Sequence, residues 1–262
     1  VIDSANITCE VRFGDCIEGL TNLPDKSIDH AIFDPPYEEE AHTKQVRANT
    51  KGPGHGKSNV VEVQLDFGAI SKETRSTIAV HLARIVRRWV LCFCQAEGLS
   101  LWKSSFESAG LGWRRCGVWI KPDAMPQITG DRPGTGAEMI AIAHAKGRSK
   151  WNGGGRSGVW TFPKNESGRE HPTQKPLALM EALVRDFTDP GDLVLDPFAG
   201  SGTTGVACRR LGRRFLGWEQ NAKYHAIAAR RISEAREQLA LIGHSKAPAP
   251  KQSSMFSAEK EG

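Results

Sequence analysis

Leu193-Val194-Leu195-Asp196-Pro197-Phe198-Ala199-Gly200-Ser201-Gly202-Thr203-Thr204-Gly205 is the stretch whose reading decides the fold. An apolar run of strand composition ends at an acid, a glycine turn follows, and helical residues run from about Thr203 to Leu211 before Gly212 stops them. Phe215-Leu216-Gly217-Trp218 then reads as a second strand, closed by Glu219. The spacing Gly200-x-Gly202-x-x-Gly205, followed about 20 residues after its start by an acid, fits the strand–turn–helix unit that cradles nucleotides at a helix N-terminus. That unit implies an α/β protein built on a mostly parallel sheet.

Asp196 separates the ligands such a loop could take. It stands at the mouth of the glycine turn, where a dinucleotide would place its pyrophosphate, and two anions there repel. The ammonium and sulfonium of S-adenosylmethionine would instead be attracted. Glu219 can accept from both hydroxyls of a ribose in either case, so a nicotinamide-dependent oxidoreductase stays as the competing reading.

The second informative stretch is His30-Ala31-Ile32-Phe33-Asp34-Pro35-Pro36-Tyr37. The apolar run predicts a buried strand, and two prolines cannot continue a ladder, so the strand stops at Asp34. A carboxylate, the Pro35 carbonyl and an aromatic ring are then held together at a strand's carboxyl end, the edge where open α/β sheets bind ligands. Alone, the motif reads equally as a turn that ends a strand.

The rest of the chain supplies further elements. Residues 7–13 predict a strand, and Gly14-Asp15 leads into a short helix at 16–20 that Asp15 can cap. Ile78, Leu82, Ile85, Val86 and Trp89 fall at helical spacing, Val90–Cys94 predicts a strand, and Leu99–Ala109 a helix closed by Gly110. Arg114–Ile120 and Met139–His144 predict an antiparallel pair, and Leu177–Phe187 a helix opened by Pro176. Cys92 and Cys94 are expected to pack on one sheet face. The six cysteines form no Cys-x-x-Cys pair, which predicts reduced thiols and no metal site. No run of roughly 18 apolar residues occurs, and the start lacks a secretory pattern, so a cytoplasmic protein with no membrane span is expected. His81, His144 and His225 fall within these regular patterns and are expected to be structural. The net charge of +5 permits a polyanionic partner without requiring one.

Several motifs in a fixed order give the sequence a family resemblance. Gly14-Asp15, Asp34-Pro35-Pro36-Tyr37, Trp119-Ile120-Lys121-Pro122, His171-Pro172-Thr173-Gln174-Lys175-Pro176, Asp196–Thr204 and Glu219 resemble the amino-methylating DNA methyltransferases, which modify adenine-N6 or cytosine-N4. The order, Asp-Pro-Pro-Tyr before the Phe-x-Gly-x-Gly loop, resembles their permuted beta class. The similarity covers about residues 8–37 and 89–235. It implies a Rossmann-like fold with a seven-stranded, mostly parallel sheet and helices on both faces. It implies S-adenosylmethionine as the cofactor: Asp15 with Cys16 would meet its adenine, and Glu219 with Gln220 its ribose. Pro197, Phe198, Gly200, Ser201, Gly202 and Thr203 would surround its methionine portion, with Asp34 and Asp196 beside them. Lys175 would lie near the methionine carboxylate, with His171 in the same segment. Asp15 as a plain cap and Lys175 as a solvated helix-start residue are the simpler alternatives.

The same resemblance makes Asp34, Pro35, Pro36 and Tyr37 the catalytic group. An exocyclic amine is a poor nucleophile because its lone pair is delocalised, and two acceptors aimed at its N–H bonds favour attack. No Pro-Cys dipeptide occurs, which argues against methylation at cytosine C5. Residues 1–243 are expected to form one catalytic domain and 244–262 a disordered tail. Polar, glycine-rich stretches at 38–70, 121–136 and 145–170 are the expected DNA-contacting loops, carrying Lys44, Arg47, Lys51, Lys57, Arg132, Arg148, Lys150 and Arg156. The substrate is thus expected to be double-stranded DNA, adenine favoured and cytosine-N4 the alternative, with an inactive nucleic-acid-binding relative as the non-enzymatic reading. A homodimer and a cognate restriction endonuclease are compatible partners.

Overall fold

The computed structural model describes residues 8–36, 69–124, 126, 130–164 and 174–242, with side chains as far as Ala235. Tyr37, Lys44, Arg47, Lys51, Lys57, His171 and the 244–262 tail therefore lie outside the described residues.

The chain forms β1 (Cys9–Phe13), α1 (Cys16–Thr21), β2 (His30–Phe33), α2 (Lys72–Ile85), β3 (Trp89–Cys94), α3 (Leu99–Ser108), β4 (Gly112–Ile120), β5 (Ala137–His144), β6 (Val159–Thr161), α4 (Leu177–Phe187), β7 (Leu193–Asp196), α5 (Thr203–Arg210), β8 (Arg214–Glu219) and α6 (Ala222–Ile242). All eight strands join one sheet in the order β1-β8-β7-β2-β3-β5-β4-β6. β5 pairs antiparallel with both β3 and β4, and every other pairing is parallel. The mostly parallel sheet is thus as expected, but it has eight strands rather than seven. The additional strand, β6, is a three-residue edge strand in register with β4 at Trp119↔Trp160. It is too short for a period to register, and glycines precede it.

Alternation along the strands sorts the core into two layers. Ala31 and Phe33 of β2, with Val90, Cys92 and Cys94 of β3, face α2 and α3 through Ile78, Leu82, Trp102 and Phe106. Ile32, Leu91 and Phe93 face the opposite layer, where Leu179, Leu183 and Phe187 of α4 meet Val206 of α5 and Ile232 of α6. Burying each such side chain contributes about 1.5–3 kcal/mol, which makes the two-sided sheet self-supporting. Trp89 departs from the helical reading: α2 ends at Ile85, Val86 is extended, and Trp89 opens β3.

The topology places a crevice. β7 is followed by α5 on one face, leading to β8 on its left; β2 is followed by α2 on the other face, leading to β3 on its right. Connections that leave neighbouring strands in opposite directions open a cleft at the strands' carboxyl ends. The residues at those two ends are Asp196 and Asp34.

Candidate active site

A cavity of about 570 Å³ occupies this cleft, within the usual range for small-molecule sites. Asp15, Cys16, Asp34, Pro35, Pro36, Lys175, Asp196, Pro197, Phe198, Gly200, Ser201, Thr203, Glu219 and Gln220 all line it. The fold thus brings together the expected cofactor and catalytic residues that are described, except Gly202, which stands in the chain between the lining residues Ser201 and Thr203.

Each is positioned for a local reason. Asp15 caps α1, its Oδ1 accepting from the Ile17 and Glu18 N–H groups at 2.8 and 3.1 Å. The capping role is therefore real, and it coexists with a place in the cavity wall. Gly14 N–H donates to the Glu219 carbonyl (3.1 Å), tying the ends of β1 and β8 together. Glu219 organises the glycine turn: Oε2 accepts from Gly200 N–H at 3.0 Å and Oε1 from Asn221 N–H at 2.7 Å. Burial pushes the Glu219 carboxyl up, and these backbone donors draw it back. Burial also raises the Cys16 thiol to about 12, so it lines the wall as an uncharged group.

Gly202 has φ +79°, and a Cβ there would lie 2.9 Å from the Ala228 side chain and 3.0 Å from its backbone. Only glycine lets the turn sit this close to α6. Arg231 of α6 donates to the Ser201 carbonyl (2.5 Å) and to Thr203 Oγ1 (3.3 Å), latching the turn from behind. Ser201 Oγ in turn donates to Gln174 Oε1 at 3.2 Å.

Asp196 is more deeply committed than its place in the sequence implies. Its side chain is 3% exposed; Oδ1 accepts from Phe198 N–H at 3.0 Å and Oδ2 from the Thr204 hydroxyl at 2.6 Å. Burial pushes its carboxyl up to about 7 despite those donors, and Asp34 and Glu219 add to the rise. Near neutrality it carries a partial rather than a full charge, so its repulsion of a pyrophosphate is weaker than a free carboxylate's. The remaining acceptors at Glu219 and Asp34 keep the cavity suited to a ligand with cationic and hydroxyl groups.

Asp34 follows β2, held by the buried Pro35, and Lys175 Nζ lies 2.7 Å from its Oδ2. Lys175 also lies 2.9 Å from Glu138 Oε2, and Lys121 reaches Glu138 Oε1 at 2.6 Å. Lys175 packs over Phe93 at 5.0 Å and Trp119 at 5.8 Å, so its ammonium is held by aromatic faces as well as carboxylates. Burial pushes the Asp34 carboxyl up; Lys175 draws it back and Glu138 adds to the rise. For Glu138 burial acts in the same direction, but Lys175 and Lys121 outweigh it and hold the group near 2.

The expected DNA-contacting residues divide. Arg132 lies between β4 and β5, at the cavity's edge of the sheet, exposed and paired with Asp131. Arg148, Lys150 and Arg156 do not share that edge. They follow β5, which runs against the other strands, and so sit at the opposite end of the sheet. There the Lys150 carbonyl accepts from Trp89 Nε1 at 2.6 Å, at the start of β3. Lys150 pairs with Asp189 at 2.9 Å and Arg156 with Asp186 at 2.5 Å, just past or within the C-terminal turn of α4. Two of these cations thus anchor a loop to the fold. The antiparallel strand is the reason: it carries residues 145–158 away from the cavity, and β6 brings the chain back to it by Lys164.

Glu138, Lys121, Thr204 and Arg231 shape the site without standing out in the sequence as candidate residues. Lys121 and Thr204 stand within the sequence motifs, but Glu138 and Arg231 reach the site only through the sheet and the helix packing.

Among the described residues no helix is long and apolar enough to cross a membrane, and no cluster of three or more His, Cys, Asp or Glu suits a metal ion. The architecture and the site define an S-adenosylmethionine-dependent methyltransferase fold. The DNA methylase family N6_N4_Mtase matches residues 28–230, and the chain belongs to that family, whose cofactor is S-adenosylmethionine. It is 28% identical over 254 residues to the Type II methyltransferase M.HinfI of Haemophilus influenzae, covering 85% of this chain and 68% of that protein. It is 34% identical over 145 residues to the Type II methyltransferase M.XycI of Xanthomonas campestris pv. cyanopsidis, covering 50% of this chain and 48% of that one. Among solved structures it is similar to the M1.HpyAVI–SAM complex (TM-score 0.64, 26% identity, 85% and 98% of the two chains). Its fold is also shared by the PvuII DNA methyltransferase (cytosine-N4-specific), with TM-score 0.66, 16% identity and 88% and 92% coverage.

Proposed function

We propose that this chain transfers a methyl group from S-adenosylmethionine to the N6 amine of adenine in double-stranded DNA, as one catalytic domain of the permuted beta class. The observation that carries the reading is the shared cavity: the Asp34-Pro35-Pro36 turn and the Asp196–Thr204 loop end adjacent strands and line one space. The motif order along the chain supports the permuted class, and the acid that opens the Asp34 motif favours adenine.

The bound donor would supply a methyl group on a positively charged sulfur. Glu219 would accept from its ribose hydroxyls, Asp15 and Cys16 would flank its adenine, and the Phe198–Thr203 turn would hold its amino-acid portion. Asp34 would accept an N–H bond of the target amine, and the Pro35 carbonyl the other. Both acceptors would stabilise the positive charge that develops on the nitrogen as it takes up the methyl group, which leaves the donor's sulfur neutral. Asp34 is then the group placed to receive the proton that the nitrogen loses. The base must leave the duplex to reach the cavity, and Tyr37, next in the chain, would stack on it. Lys44, Arg47, Lys51, Lys57 and Arg132 would contact the backbone phosphates. On this reading a cognate restriction endonuclease would be the functional counterpart.

The test is transfer of a labelled methyl group to unmethylated duplex DNA by the wild-type protein and by Asp34→Asn. Transfer by the first and not the second supports the reading; none by the wild type removes it.

A further inference from the structure

We propose that Lys175 is a positioning residue for the amine-binding carboxylate: clamped between Asp34 and Glu138, it holds the Asp34 side chain in place as an acceptor. This rests on the function proposed above and assigns Lys175 a different task from holding the cofactor's carboxylate.

Four charges alternate along one wall of the cavity: Asp34, Lys175, Glu138 and Lys121, at successive separations of 2.7, 2.9 and 2.6 Å. All four line the cavity itself. The lysine and Glu138 are nearly enclosed, their side chains 10% and 12% exposed, whereas Asp34 keeps 30%. Buried charges at these distances hold one another firmly, since little water screens them. Each member comes from a different place: Asp34 after β2, Lys175 before α4, Glu138 in β5 and Lys121 after β4. The antiparallel strand β5 delivers Glu138, because its first residues lie at the edge where the other strands end.

The arrangement has a chemical consequence. Lys175 engages Oδ2 of Asp34, and an ionised carboxylate has about four acceptor sites, so capacity remains for an amine N–H. The ammonium opposes the burial that would protonate Asp34. Glu138 divides the ammonium's attraction with Asp34, and Lys121 anchors Glu138. The chain is electrically balanced, two acids against two bases, with the buried Asp196 a further acid nearby whose carboxyl Asp34 helps to push up.

The experiment compares kcat–pH profiles, cofactor KM and thermal midpoints for wild type, Lys175→Met and Glu138→Gln, with duplex DNA and S-adenosylmethionine. Losing the ammonium should move the acidic limb of kcat to higher pH by about one unit or more, the size of an ion-pair effect on a carboxylate. Below the wild-type limb, kcat should fall about tenfold for each unit by which the limb moves, as the ionised fraction shrinks. Losing the Glu138 charge should move the limb the opposite way, with cofactor KM within about threefold in both variants. A rise in cofactor KM at unchanged kcat in Lys175→Met would overturn the inference, since the lysine would then be holding the cofactor. So would a uniform loss with no shift of either limb. Should Lys175→Met fail to fold, Glu138→Gln, nearly identical in shape, decides by its limb alone. An inactive wild type overturns the function and this inference together, whereas an active one with unshifted limbs overturns only the inference.

Discussion

The Thr204 hydroxyl donates to Asp196 Oδ2 across 2.6 Å, with both residues at most 4% exposed. The bond ties the end of β7 to the first turn of α5 and encloses a carboxyl at the base of the glycine loop. Because burial lifts that carboxyl to about 7, the folded state favours its protonated form. The associated stability is full below the ordinary carboxylate range and is lost as pH rises toward 7. In the absence of cofactor, the stability of wild type relative to Asp196→Asn should decline between about pH 4 and 7 and then level off. The total should be on the order of a few kcal/mol. Urea unfolding across that range measures it; a pH-independent difference would show that the carboxyl is not perturbed.

The two glycines of the turn, Gly200 and Gly202, should differ in tolerance. Gly202→Ala meets Ala228 at 2.9 Å in a left-handed backbone, whereas at Gly200 (φ +53°) a Cβ approaches only the Phe198 carbonyl, at 3.9 Å. Gly200→Ala should cost about 1 kcal/mol of folding stability and Gly202→Ala about 2 kcal/mol or more, strain and overpacking combined. Thermal unfolding separates them, and equal losses would contradict the packing of the turn on α6.

Asp34→Asn keeps size and removes the charge. It should lower kcat about 100- to 1,000-fold while the dissociation constant for S-adenosylmethionine, measured by calorimetry, changes less than about threefold. Substantial residual turnover would remove Asp34 from its role.

The loop at the far end of the sheet gives a contrast of another kind. Arg156→Ala strands Asp186, which is 4% exposed and also accepts from Trp160 Nε1, so it should cost about 1–3 kcal/mol of stability. Lys150→Ala should alter DNA affinity by less than about twofold and leave its salt dependence unchanged, because the lysine stands away from the cavity. A clear fall in the salt slope would return this loop to the DNA surface.

How much was legible in the sequence follows from the range of each interaction. The turn at Gly200–Gly202, the cap at Asp15, α4 and the strand-ending prolines are local, and their residues announce them. β6 spans three residues, too few for a pattern, and its pairing to β4 depends on tertiary contact. The basic, tryptophan-containing stretch 145–158 has a nucleic-acid-like composition, but composition carries no direction. Only the antiparallel course of β5 reveals that it faces away. Asp34 was readable as a candidate from its own motif, whereas its partner Lys175 lies 141 positions onward and their pairing is created by the sheet.

The most direct measurement is mass spectrometry of nucleosides. Unmethylated duplex DNA is incubated with the protein and deuteromethyl-labelled S-adenosylmethionine, then digested completely. The account predicts labelled N6-methyladenine as the product, abolished in Asp34→Asn. Labelled N4-methylcytosine would contradict the choice of base, and no labelled amine, or label only in 5-methylcytosine, would contradict the account as a whole.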